Sequence, residues 1–237
     1  MTRRLAPLTL DNVSDLPTPC RSCVSWELDA VAGRRAREMG DTAFEKEAWI
    51  SATLLEWGSC GRVAYVDDRP AGFVTYAPPA FVPRSLAFPT SPVSADAVLL
   101  MTARVMPQYA GSGLARMLVQ ACAKDLSRRG VKAIEAFGLA AGGGLGPSLR
   151  AAAAALPIPG RQGRPPTEEA GAEESKCLAP ADLFSAVGFK TVRQHHRYPR
   201  MRLELKTAIS WREDVELALE RILGTVRVPA LSSTSHS

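Results

Sequence analysis

Apolar and polar positions along this chain switch between a period of two and a period near 3.6, and the switches mark out its elements. Leu5 to Leu10 alternates weakly and suits a first strand. Asp41-Thr42-x-x-Glu45 has the spacing of a capping box, with Thr42 as cap. The helix it opens runs to about Trp57 and places Phe44, Trp49, Ile50, Thr53, Leu54 and Trp57 near one face, and Gly58 to Gly61 ends it. Arg62–Val66 and Ala71–Tyr76 flank Asp67-Asp68-Arg69-Pro70, which reads as a hairpin turn. Residues 78–94 hold five prolines and predict an irregular loop. Ala97–Val105 is a strand, and Gly113–Arg129 a helix with Leu114, Met117, Leu118, Ala121, Cys122 and Leu126 at helical spacing. Gly130 stops that helix before a strand over Val131–Phe137.

The pattern then breaks. Residues 138–176 combine five clustered glycines, a run of five alanines, prolines and a charged end without a sustained amphipathic period, as expected of a mobile insertion. Pro180–Val187 resumes as a helix, followed by strands over Gly188–Arg193 and Met201–Lys206. A second capping box, Ser210-Trp211-Arg212-Glu213, opens a C-terminal helix over 207–225, and 226–237 reads as a flexible tail. The succession predicts one α/β domain over 5–206. Its sheet is mixed, because a hairpin precedes the strand–turn–helix unit at 97–129.

Residues 104–115, Arg-Val-Met-Pro-Gln-Tyr-Ala-Gly-Ser-Gly-Leu-Ala, carry the clearest chemistry. A strand ends in a proline, a Gln-x-x-Gly-x-Gly turn follows, and a helix begins. Glycines allow close backbone approach, and the helix start offers unpaired N–H groups to phosphate. No Gly-Lys-Ser/Thr follows, so this is no Walker loop. The first glycine of a dinucleotide fingerprint is also missing.

Val-x-Pro, Gln-x-x-Gly-x-Gly-Leu-Ala and the later Leu183-Phe184-Ser185-Ala186-Val187-Gly188-Phe189 together resemble the GNAT superfamily of N-acetyltransferases. With Cys20-x-x-Cys23-Val24-x-Trp26-Glu27, the chain is similar to an actinobacterial-type subgroup of that superfamily. The resemblance implies the GNAT acyl-CoA N-acyltransferase fold: a mixed, splayed sheet flanked by helices, with acetyl-CoA between the fourth and fifth strands as co-substrate. It implies that the main chain of Gln108, Ala110, Gly111, Ser112 and Gly113 contacts the pyrophosphate. Tyr109 belongs to the same loop, and Leu114 and Ala115 begin the supporting helix. The backbone of Ala103, Arg104 and Val105 would pair with the pantetheine arm like an added strand. The implied reaction is direct attack of a primary amine, from a small molecule or a protein, in a ternary complex. Many relatives place a Tyr acid four residues before the Gly of Gly-Phe, where this chain has Phe184. Tyr109, Cys177 or water would have to stand in.

Such a transfer needs a group to take the amine's proton. Glu135, on the fifth strand among apolar neighbours, is one candidate, although its plainer and preferred reading is a solvent-facing strand position. Asp96, just before the fourth strand, is another, with a turn residue as its plainer reading. Glu27 and Glu56 in the N-terminal region read by default as surface charge. A catalytically silent scaffold, sensing acyl-CoA or docking a protein, is the alternative function.

Composition narrows the partners. A net charge of +5 is too modest to argue for nucleic acid, and the basic run Lys190–Lys206 reads as a solvated face, with Tyr198 its lone stacking aromatic. No membrane span or secretory leader is expected, and five cysteines fit no disulfide framework, which together point to the cytoplasm. Cys20-x-x-Cys23 has the spacing of half a zinc site or a redox pair. Ordinary buried thiols are the preferred reading, and no metal is expected. The C-terminal helix would either close the core or build a homodimer.

Overall fold

The computed structural model describes residues 2–140 and 177–205. Most of the expected insertion, the C-terminal helix and the tail lie outside these residues.

Seven strands form one sheet in the order β1-β2-β3-β4-β5-β7-β6. They are β1 (Arg3–Pro7), β2 (Gly61–Val66), β3 (Arg69–Ala77), β4 (Ala97–Val105), β5 (Ala133–Phe137), β6 (Lys190–Arg193) and β7 (Arg200–Glu204). Every neighbouring pair is antiparallel except β4 and β5, which run parallel through the crossover helix α3 (Leu114–Arg128). Two further helices, α1 (Ala30–Met39) and α2 (Thr42–Trp57), precede β2, and the short α4 (Ala181–Ala186) precedes β6.

Each face of the sheet buries its own core. Leu114, Leu118, Cys122 and Leu126 of α3, with Phe184 of α4, pack on Val74, Tyr76, Val98, Leu100, Ile134 and Ala136. On the other face Trp49 and Ile50 of α2 and an N-terminal arm carrying Val13, Cys20 and Trp26 cover Val63, Phe73, Leu99, Met101 and Phe137. The proline-rich segment seals that face through two 3-10 turns, Pro79–Phe81 and Pro83–Ala87. Its Phe88 ring stacks against both Phe137 (4.3 Å) and Trp26 (5.2 Å), which themselves stack at 6.3 Å, the offset geometry that aromatic pairs favour. Helix α3 is pinned from its distal turn, where Asp125 accepts hydrogen bonds from Tyr76 Oη (2.7 Å) and Arg62 Nη2 (2.9 Å).

Several expectations shift. The first strand is Arg3–Pro7, and Leu10–Asp15 forms a 3-10 turn instead. Asp41, not Thr42, is the N-cap of α2, without a side-chain bond, so the capping box is not made. Phe44 points outward at 71% exposure, and the buried face of α2 instead includes Lys46, whose ammonium is paired with Glu27. Helix α1 is an addition: Asp29 caps it by accepting from the Val31 and Ala32 amides, and Gly40 closes it in the left-handed region. Asp67 and Asp68, both at positive φ, make the two-residue turn between β2 and β3, so β3 begins at Arg69.

Candidate active site

Strand β4 carries one extra residue. Thr75 pairs with Thr102, but the next residue of β3, Tyr76, pairs with Leu100, which leaves Met101 unmatched in a bulge. Upstream of it Leu99 and Met101 face the N-terminal arm. Downstream Thr102 and Arg104, register partners of Thr75 and Phe73, face that same side. On its other edge β4 pairs with β5 only through Ala97↔Ala133, Val98↔Ile134 and Leu99↔Glu135. Past Leu99 the two strands part. Ala103, Arg104 and Val105 therefore hold β3 on one edge and leave the other open.

At the end of that open edge the chain builds a cradle. Pro107–Tyr109 makes a 3-10 turn, and Gly111 and Gly113 take φ of +74° and +80°, the left-handed region that glycine enters freely. Nothing lies within 4 Å of where a Cβ would stand on either glycine, so their outer faces are clear. Gly113 is the N-cap of α3, and the first helical bond runs from Met117 N to its carbonyl. The amides of Leu114, Ala115 and Arg116 thus have no acceptor among the described residues. Ser112 Oγ is buried there without a partner. A row of unsatisfied donors at a helix start is an anion site, and it fits a pyrophosphate.

Residues 21–141 match the Acetyltransferase (GNAT) family. The chain belongs to that family. Its fold is the GNAT fold, a mixed sheet flanked by helices. PaiA N-acetyltransferase from Thermoplasma acidophilum, in complex with coenzyme A, is 10% identical at a TM-score of 0.48, over 86% of this chain and 99% of that one. The Salmonella typhimurium protein yncA, solved with its cofactor acetyl-CoA, is 13% identical at 0.48, over 86% and 95%. The ribosomal-protein-S18-alanine N-acetyltransferase from Escherichia coli is 14% identical at 0.43, over 86% and 94%. Comparison with curated proteins gives no match.

The two carboxylates singled out as candidate bases meet in one ion-pair network. Glu135 is fully buried, which overturns its preferred solvent-facing reading. Oε1 accepts from Ser94 Oγ (2.6 Å) and Arg202 Nη1 (3.1 Å), and Oε2 accepts from Ser94 N (3.1 Å) with Arg200 Nη1 at 3.1 Å. Asp96 receives both Arg202 Nη1 (3.0 Å) and Nη2 (2.9 Å), and these bonds hold its carboxyl below the usual range. Both groups are thus committed to guanidinium partners, and they tie β5 to β7 and to the segment that leads into β4. Phe184 is 1% exposed and packs against Phe189 (5.2 Å), so its position supplies apolar contact. Tyr109 is half-buried beside the cradle.

A cleft of about 210 Å³ opens beside β4, lined among others by Cys20, Cys23, Arg37, Arg104 and Cys177. A deeper recess with Glu27, Lys46, Thr75 and Thr102 shares its three cysteines. Glu27 is 4% exposed and paired to Lys46, which corrects its reading as surface charge, whereas Glu56 is exposed as expected. The thiols divide. Cys60 and Cys122 are ordinary buried thiols whose ionisation burial pushes up, that of Cys60 to about 12. Cys23 and Cys177 instead are partly exposed and meet at 3.5 Å, although 154 residues separate them. The hydrogen bond from Cys177 lowers the Cys23 pKa to about 6, against the opposing effect of burial. Arg104 Nη1 lies 3.1 Å from Cys20 Sγ.

Proposed function

We propose that this chain is an acetyl-CoA-dependent N-acetyltransferase that passes the acetyl group to a primary amine by direct attack, with both substrates bound. The open outer edge of Ala103–Val105 running into the Gly111–Gly113 cradle carries this reading. The free edge suits the amide-rich pantetheine arm, and the amides of Gln108, Gly111 and Gly113, Ser112 Oγ and the first turn of α3 suit the pyrophosphate, whereas the Ala110 and Ser112 amides are already bonded to the Pro107 and Tyr109 carbonyls. Membership of the family supports both assignments. Acetyl-CoA supplies the activated acetyl group as a thioester.

The cleft on the Thr102–Arg104 side of β4 is where the acceptor would enter. Its fixed charges are Arg37 and Arg104, with Glu27 and Lys46 offsetting each other deeper in. An amine that also carries a carboxylate or another anionic group fits that balance. Trp26 Nε1, buried without a partner and lining the recess, adds one more donor. Glu27 is the carboxylate that lines the recess, with Lys46 Nζ on Oε1 and the Trp26 amide on Oε2. It alone of the candidate carboxylates borders this space, and we assign proton uptake from the amine to it, directly or through water. A thiolate is a good leaving group, which makes a buried phenyl ring at Phe184 tolerable. Glu135 and Asp96 support the sheet on this reading.

The test combines a thermal shift with acetyl-CoA and a thiol-release assay over matched amines with and without a carboxylate. A shift together with turnover favouring the carboxylate-bearing amines is expected. A shift without turnover on any amine would leave an acyl-CoA-binding scaffold, and no shift would remove both readings.

A further inference from the structure

Spacing alone would pair Cys20 with Cys23, yet the fold partners Cys23 differently. Cys20 is buried with its sulfur against Arg104 Nη1, whereas Cys23 Sγ turns to Cys177 Sγ at 3.5 Å and to Ser25 Oγ at 3.1 Å. Both neighbours of Cys23 can donate a hydrogen bond, so the pair is arranged with Cys23 as the sulfur that ionises and Cys177 as the one that keeps its proton. The Cys177 pKa is raised, foremost by its bond to Cys23. Both residues are partly exposed and line the same open cleft, which gives a small oxidant access.

We propose that Cys23 and Cys177 form a reversible oxidation site, at which a peroxide converts the two thiols into a disulfide that bridges the acceptor-side cleft. The Cys23 thiolate attacks one peroxide oxygen, the O–O bond breaks, and Cys23 becomes a sulfenic acid while hydroxide departs and takes up a proton as water. The Cys177 sulfur then attacks Cys23 Sγ. The S–O bond breaks, the oxygen leaves as water with the Cys177 proton, and the S–S bond forms. The two thiols give up two electrons and two hydrogens to one peroxide, which ends as two waters. Closing from 3.5 Å to a bond of about 2 Å asks for a small rotation of either side chain.

The bond would join two separate walls. Cys23 belongs to the arm that carries Trp26 and Glu27 into the core. Cys177 stands two residues before Ala179, whose carbonyl accepts from Leu139 N at 2.9 Å at the entry to α4. Cys177 borders the outer cleft and its inner recess alike, so the link crosses the space assigned to the acceptor. The oxidation itself rests on the sulfur geometry and stands whether or not the cleft takes an amine.

The experiment treats the reduced full-length protein with a small excess of hydrogen peroxide, caps remaining thiols with N-ethylmaleimide and maps the non-reduced digest by mass spectrometry. A Cys23–Cys177 peptide lighter by two hydrogens, removed by dithiothreitol, is expected. The link should persist in Cys20→Ser, and Cys177→Ser should leave a sulfenic acid at Cys23 that dimedone captures. A Cys20–Cys23 link in the wild-type protein, or no link with Cys23 still free or carried on to the sulfinic acid, overturns the proposal. The wild-type map decides even if a variant fails to fold. The acetyl-CoA thermal shift, measured before and after oxidation, reports separately on the functional reading.

Discussion

Glu135 and Arg202 are register partners on β5 and β7, and their side chains meet at 3.1 Å inside the sheet. The contact places a carboxylate with no exposure between two guanidiniums that are themselves largely covered. Removing one member of such a group strands the others in a poorly solvated place. Glu135→Gln is therefore expected to cost about 3 kcal/mol in urea unfolding. The folded fraction should retain its acetyl-CoA response, whereas loss of turnover at unchanged stability would return Glu135 to the chemistry.

Gly113→Ala places a side chain at φ +80° in the N-cap of α3. The conformational cost is about 1–2 kcal/mol. The methyl group would also project into the clear space over the cradle. Acetyl-CoA affinity should fall by about tenfold or more, roughly 1.4 kcal/mol, read by calorimetric titration. Unchanged affinity would place the pyrophosphate elsewhere.

Glu27→Gln keeps the shape of a side chain that lines the recess and removes its ability to take a proton. On the proposed mechanism kcat should fall by about a hundredfold. The acetyl-CoA thermal shift should remain. A loss confined to the unfolding midpoint would assign Glu27 to the buried pair with Lys46 alone.

Cys23 should stand apart in alkylation. The thiolate is the reactive species, and a lowered pKa carries it to lower pH, so the iodoacetamide rate at Cys23 should hold until the pH falls to about 6. An ordinary thiol loses its rate from about pH 8.5 downward. In Cys177→Ala the profile should shift back upward, because the leading stabilising bond is lost. Peptide-resolved rates across pH 5–9 check both expectations.

What could be read ahead was mostly local. The strand–turn–helix from Ala97 to Arg128 is legible because glycine freedom, a proline and helical spacing act over a few residues each. Helix α1 carried usable signals, with Asp29 before it and Gly40 after it, but its arginine-rich run lacks a clear apolar stripe. The burial of Glu135 had no such signal, since Arg200 and Arg202 arrive from a strand more than sixty residues later. The Cys23–Cys177 contact spans even more chain and depends on how the N-terminal arm folds across the sheet. The bulge was hidden for another reason: Ala97–Met101 is uniformly apolar because both faces are buried, and a run without alternation shows no change of phase.

That unmatched Met101 makes β4 a strand with two addresses. Before it, odd-numbered side chains belong to the arm-side core; after it, even-numbered ones do, which turns Thr102 and Arg104 toward the cleft. Deleting a single residue there while keeping both ends of the pairing would restore an unbroken ladder. Met101 is the residue the ladder can lose while Thr102 and Arg104 stay aimed at the cleft, but the local bend and twist that a bulge introduces would go with it. Length at this point is thus under tighter constraint than chemistry: an aliphatic replacement of Met101 should be absorbed, and its removal should cost that bend.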